Sequence, residues 1–186
     1  DPTTHQIKSR LTPAYNVTLK QGLCANFNGT SSECSLASAI DLTGNWSIEI
    51  SFTPAVLNVL QYLVSEAFTS PPIRRFYVSL ETKGKIGLQI GTGLRVNISN
   101  ALTIGVSYTL YMSYSSTTGI ITSKLRTLST GNLTDLTDYT VEGLDATTGT
   151  WRIGRANSAG WYNGCIHELT IWKSTKTVAQ MDSTKT

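Results

Sequence analysis

Ser47-Ile48-Glu49-Ile50-Ser51-Phe52 is the stretch that decides the fold. Ile48, Ile50 and Phe52 alternate with Ser47, Glu49 and Ser51, the period of a strand that covers a core with one face only. Phe76, Val78 and Leu80 alternate in the same way with Tyr77, Ser79 and Glu81. Lys83-Gly84 reads as a tight hairpin turn, after which Ile86, Leu88 and Ile90 resume the pattern. Val106, Tyr108, Leu110, Met112 and Tyr114 form the longest run, and Gly- or Asn-bearing turns punctuate the chain at short intervals. This spacing predicts an all-β, two-sheet antiparallel sandwich. Phe27, Ile48, Ile50, Phe52, Val78, Leu80, Ile86, Leu88, Leu110, Met112 and Ile171 are expected between the sheets. One short C-terminal helix is expected within Ser174 to Met181, where a Ser start precedes Val178 and Met181.

The chain has 186 residues, 40% apolar and 15% charged, with a net charge of +3. A chain of this length buries roughly 70% of its unfolded surface and can stand on one hydrophobic core. Its Lys and Arg residues are scattered singly, apart from Arg74-Arg75, so the basic stripe of a nucleic-acid partner is missing. No stretch approaches the roughly 18 apolar residues of a membrane span, so no membrane insertion is expected. Residues 1–21 carry two of the five prolines and no clean alternation, although Tyr15, Val17 and Leu19 could form an edge strand. They read as an arm or linker, with the compact domain over 22–186.

Cys24, Cys34 and Cys165 are an odd number. With Ala25 and Phe27 inward, Cys24 faces outward while Cys34 stands at an inward position, so those two should not be bridged. Three unpaired thiols acting as small hydrophobes are the expectation. Five Asn-X-Ser/Thr sequons, at Asn16, Asn28, Asn45, Asn97 and Asn132, would be glycan acceptors in a secreted eukaryotic protein and carry no meaning in a bacterial or phage one.

Ala25-Asn26-Phe27-Asn28-Gly29-Thr30, closing on Cys34 and Leu36, and then Ala39 to Ile50 resemble the opening of the laminin-G-like, concanavalin-A-like family found in bacterial surface and phage structural proteins. Gly84 to Ile90 and Ala101 to Leu110 resemble its central strands. Trp151-Arg152-Ile153-Gly154-Arg155 and Trp161 to Trp172 resemble its closing ones. The resemblance covers about residues 22–182 and implies a concanavalin-A-like jelly roll. His167 departs from it, standing where an acidic residue is common. Calcium is the ion the resemblance brings into view. Asp41, Asp145, Asn157 and Asn163 are loop-placed oxygen donors, yet no acidic run forms a dedicated calcium loop, and no cofactor is expected.

Glu49, Glu66, Glu81 and Glu168 are isolated, which does not suit the paired carboxylates of glycoside hydrolysis. Only His5 and His167 could serve a Ser-His-Asp arrangement, and the cysteine spacings fit no zinc motif. The protein is therefore not expected to be an enzyme. Carbohydrate sites stack sugar faces on exposed rings and fix hydroxyls with amides and cations. Arg155, Trp161, Tyr162 and Asn163 have that composition within one loop and are the candidate ligand-binding residues, although Trp161 or Tyr162 could equally cap the core. Trp46 and Trp172 read as structural, while Tyr77 and Tyr111 lie on polar faces and could project into a shallow groove. Three functions stay open. The first is a module binding a glycan or cell-surface polysaccharide, set among neighbouring subunits of a larger assembly on a virion surface or in the extracellular space. The others are a structural decoration subunit without ligand and a secreted eukaryotic lectin-like adhesion domain.

Overall fold

The fold is described from a computed structural model over residues 9–12, 14–17, 24–36, 40–67, 75–143, 149–156 and 160–183. The strands in chain order are β1 (Ser9–Thr12), β2 (Ala14–Val17), β3 (Ala25–Asn28), β4 (Cys34–Ser35), β5 (Trp46–Pro54), β6 (Gln61–Ala67), β7 (Arg75–Leu80) and β8 (Ile86–Gly91). They continue with β9 (Val96–Asn97), β10 (Tyr108–Ser115), β11 (Ile120–Thr127), β12 (Leu133–Asp135), β13 (Tyr139–Thr140), β14 (Thr150–Ile153) and β15 (Asn163–Trp172), followed by helix α1 (Val178–Asp182). One sheet runs β12-β11-β10-β5-β15-β3, with β13 also on β11, and the other runs β4-β14-β6-β7-β8-β9. All pairings between these strands are antiparallel. The molecule is thus the expected two-sheet jelly-roll sandwich. No helix among the described residues is long and apolar enough to cross a membrane.

All eleven side chains expected in the core are buried in one cluster between the sheets. Trp46, Trp151 and Phe76 add aromatic bulk, the Phe76 ring centroid lying 5.8 Å from that of Trp46 and 4.7 Å from that of Trp151. Lys83-Gly84 makes the β7–β8 turn. Gly84 has φ +70°, where side chains are strained, and its N–H donates to the Glu81 carbonyl at 2.7 Å. Within residues 1–21, β1 and β2 pair with each other as a separate two-stranded sheet, and β2 runs close to β15. Tyr15 and Val17 lie in β2, and Leu19 lies outside the described residues.

Two expectations about side chains need correction here. Cys24 and Cys34 are indeed not bridged, but Cys24 pairs with Cys165 in a disulfide, with Cα atoms 5.5 Å apart, leaving Cys34 as the free cysteine. The cause is register. β3 pairs with β15, Asn26 opposite Cys165 and Phe27 opposite Gly164, so Cys24, just before β3 and on the same outward side as Asn26, meets the outward side of β15 that carries Cys165. Cys34 packs against the core, and burial pushes its thiol pKa up. Tyr111, expected to project into a groove, is instead 1% exposed, because α1 closes over it. Tyr111, Trp172 and Met181 form a second small cluster outside the seven-stranded sheet. The short helix expected after the last strand is present, capped by Thr177 and not by Ser174: the Thr177 side chain accepts the Gln180 N–H while the Gln180 side chain accepts the Thr177 N–H.

Candidate functional site

The outer face of the six-stranded sheet gathers arginines and aromatic rings, and it does so through one irregularity in β6. Tyr62 pairs with Ser79 and Val64 with Val78, so Leu63 is an extra, bulged residue. Leu63 and Val64 both enter the core, which leaves Tyr62 and Ser65 on the outer face. Register then lines up Tyr62, Ser79, Gly87 and Asn97 in one outer row and Arg152, Ser65, Tyr77 and Gln89 in the next.

Arg95 lies over this floor from the turn between β8 and β9. Its Nη2 donates to Tyr62 Oη at 2.6 Å, and its Nη1 lies 3.5 Å from Glu81 Oε1. The guanidinium carbon sits 5.3 Å from the Tyr62 ring centroid and 6.0 Å from that of Tyr77. The two rings meet edge to face, 5.0 Å apart. Ser79 Oγ donates to Glu81 Oε1 at 2.5 Å, and both side chains occupy the space above Gly87, where a Cβ would come within 2.5 Å of the Glu81 oxygen. The turn that carries Arg95 is itself fixed: Gln89 Nε2 donates to the Gly93 carbonyl at 3.1 Å and Tyr139 Oη to the Leu94 carbonyl at 3.3 Å. Beside Arg95, Leu94 is 85% exposed.

The segment after β14 folds down onto the same face. The Gly154 N–H donates to the Leu63 carbonyl at 3.0 Å, Ser65 Oγ to the Arg155 carbonyl at 2.7 Å and the Tyr62 N–H to the Gly160 carbonyl at 2.9 Å. Arg155 pairs with Glu33 and stacks over Trp161, its guanidinium carbon 4.5 Å from the ring. The sequence-predicted pair Arg155 and Trp161 therefore stays together, and the segment that carries it is tied to Ser65 and, through Gly160, to Tyr62. The other two predicted residues part from them. Tyr162 is fully buried, its ring 5.9 Å from Phe27 and its hydroxyl donating to the Cys165 carbonyl at 3.3 Å. It fills the core and has no face to offer a ligand. Asn163 pairs with Asn28 on the outward side of the seven-stranded sheet, while its N–H donates to Gln61 Oε1 at 2.8 Å. Its side chain faces away from Arg95.

Of the loop oxygen donors named for calcium, Asp41 accepts the Thr43 N–H at 2.9 Å, which with other contacts holds its carboxyl below the usual range. Asp145 and Asn157 lie outside the described residues. Glu66, at the end of β6, points inward and is fully buried. Its Oε1 accepts the Gly149 N–H at 2.7 Å, and burial pushes the carboxyl pKa up to about 7. An open groove of about 790 Å³ lies on the other sheet, between α1 and the strands β10 to β12. Two cations on that side are matched within the chain, Lys124 with Asp135 at 2.6 Å and Arg126 with Asp182 at 2.8 Å. The six-stranded face, with rings and guanidinium groups side by side, has the richer recognition chemistry.

No protein-family model matches the sequence, and no curated protein matches it. Solved structures do match in shape. The CBM40 of the Ruminococcus gnavus IT-sialidase, bound to α2,3-sialyllactose, superposes with a TM-score of 0.64 at 13% identity, over 90% of this chain and 98% of that one. The heptameric SAP-like pentraxin from Limulus polyphemus gives 0.63 at 16% identity, over 87% of this chain and 80% of that one. The NanB sialidase of Streptococcus pneumoniae gives 0.61 at 15% identity, this chain spanning 28% of its length. At these identities the likeness is one of fold.

Proposed function

We propose that this protein is a non-catalytic glycan-binding module whose site is the outer face of the six-stranded sheet and whose ligand is an acidic sugar. The observation that carries this reading is Arg95, its side chain 25% exposed and its guanidinium carbon 5.3 Å and 6.0 Å from the Tyr62 and Tyr77 ring centroids, together with the Arg155–Trp161 stack. A planar guanidinium fork suits a carboxylate, and aromatic faces suit the apolar side of a sugar ring. The shape match to a module solved with a sialylated ligand supports the same class of ligand. Glu81 and Glu33, the carboxylates beside these arginines, are each engaged by a guanidinium, which does not suit the acid and nucleophile roles of a glycosidase. The module would act at an exterior surface, on a virion or outside the cell, alongside neighbouring subunits of a larger assembly.

Calorimetric titration with α2,3-sialyllactose and with lactose tests the proposal. The acidic trisaccharide should bind and lactose should not. Arg95→Ala should weaken binding by about 2 kcal/mol or more, as removal of an arginine hot spot does. Trp161→Ala should weaken it as well, with thermal melting confirming that both variants fold. Unchanged affinity in both variants, or equal affinity for lactose, would overturn the assignment.

A further inference from the structure

On the opposite sheet, three residues from distant parts of the chain converge. Cys24 precedes β3, while Cys165 and His167 lie on β15, and one ligand atom from each falls within 4.8 Å of the others. Register explains the meeting. Cys165 pairs with Thr53 and Ile166 with Phe52, but Ser51 pairs with Glu168, so His167 is the extra residue of a β-bulge. The bulge sets the imidazole beside Thr53, whose Oγ1 lies 2.8 Å from His167 Nε2 and 2.7 Å from Ser107 Oγ. All three converging residues are half-buried.

We infer that Cys24, Cys165 and His167 form a redox-gated site for a soft divalent cation of the zinc type. Two thiolates and an imidazole are preferred zinc ligands, and a three-residue set leaves a fourth position for water. Ligand atoms at tetrahedral zinc lie about 3.5–3.8 Å apart, given bonds of roughly 2.0–2.3 Å, so the cluster needs only small side-chain shifts once the sulfurs separate. The hydrogen bond to Thr53 restrains the ring, as outer partners of metal-bound histidines do. Oxidised, the two sulfurs are joined and hold no metal. A dithiol opens the site by exchange: the S–S bond breaks, the dithiol is oxidised to its cyclic disulfide, and two cysteine thiols form. Zn²⁺ then binds both sulfurs and releases their two protons.

The test uses the full chain, reduced with dithiothreitol, freed of it anaerobically, and titrated with Co²⁺ and then Zn²⁺. The expected result is a thiolate-to-cobalt charge-transfer band that saturates at one equivalent and is displaced by Zn²⁺. The oxidised protein should give no band. His167→Ala, whose disulfide and fold can be checked before reduction, should bind about tenfold or more weakly, while Cys34→Ser should bind like the parent chain. Absence of the band in the reduced parent, unchanged affinity in His167→Ala, or loss of binding in Cys34→Ser would overturn the inference. Circular dichroism of the reduced protein separates unfolding from lack of binding: a folded protein without the band refutes the site, and an unfolded one refutes a site preformed by the sandwich.

Discussion

Replacing Glu66 by Gln should remove a pH dependence that this one carboxyl imposes on stability. Its side chain is fully buried opposite Trp151, with one oxygen on the Gly149 N–H and no hydrogen bond to the other among the described residues. Its folded pKa of about 7 stands above the ordinary 4.5, so the folded state holds the proton more tightly than the unfolded chain does. The stabilisation is complete below the unfolded value and is lost as pH rises through 4.5 toward 7 and above. Each pH unit that separates the folded from the unfolded value is worth about 1.4 kcal/mol. Integrating between about pH 5 and pH 8 gives a loss of about 2.5 kcal/mol. Glutamine keeps an oxygen for Gly149 and cannot ionise. Urea unfolding of both proteins at each pH reads the effect as a difference of differences, which cancels every other titrating group. The variant should gain about 2.5 kcal/mol on the parent from the lower pH to the higher. A gap that stays constant would show that Glu66 is not a buried, neutral-pH acid.

Tyr162→Ala should cost about 3–5 kcal/mol in denaturant unfolding, as deletion of a core aromatic does, and a loss below about 1 kcal/mol would contradict its burial. Gly160→Ala should destabilise by about 1–3 kcal/mol, because φ is +69° and the new Cβ would come within 2.5 Å of the Tyr62 ring. It should also weaken sialyllactose binding, and wild-type melting and titration together would refute the contact. Cys165→Ser opens a bridge spanning 141 residues and should lower stability by about 2–5 kcal/mol. Unchanged unfolding with and without reductant would mean the bridge does not restrain the chain.

Alternation makes the core legible, since a period of two assigns inward and outward faces without knowledge of neighbours. Phe27, Ile50 and Leu110 are buried for the reason their spacing implies. The same spacing says nothing about which strands lie side by side. It turns Cys24 outward correctly, yet hides its partner, because the β3–β15 register joins positions 141 residues apart. Tyr62 escapes a reading by alternation because the bulge at Leu63 spoils the pattern of Gln61-Tyr62-Leu63-Val64-Ser65. Arg95 stands in a turn that looks like any solvated loop until Tyr62 and Tyr77 are placed beneath it. Composition finds the loop at Arg155 and Trp161, but it cannot tell a ring on the surface from its neighbour Tyr162 in the core. The start of the helix is readable in Thr177-Val178-Ala179-Gln180, a capping box that is a stronger signal than the isolated Ser174.

Arg95 and Arg155 each meet the solvent already matched to a glutamate of their own face, Glu81 and Glu33. These two pairs add little net field to draw in anions from a distance, because each of the two positive charges is cancelled within a few ångströms. A ligand that fits can still use the part of each arginine side chain that stays exposed, and at these two paired charges its association should be slow and nearly indifferent to ionic strength. Discrimination at this face would then reside in how long a partner stays and not in how fast it arrives.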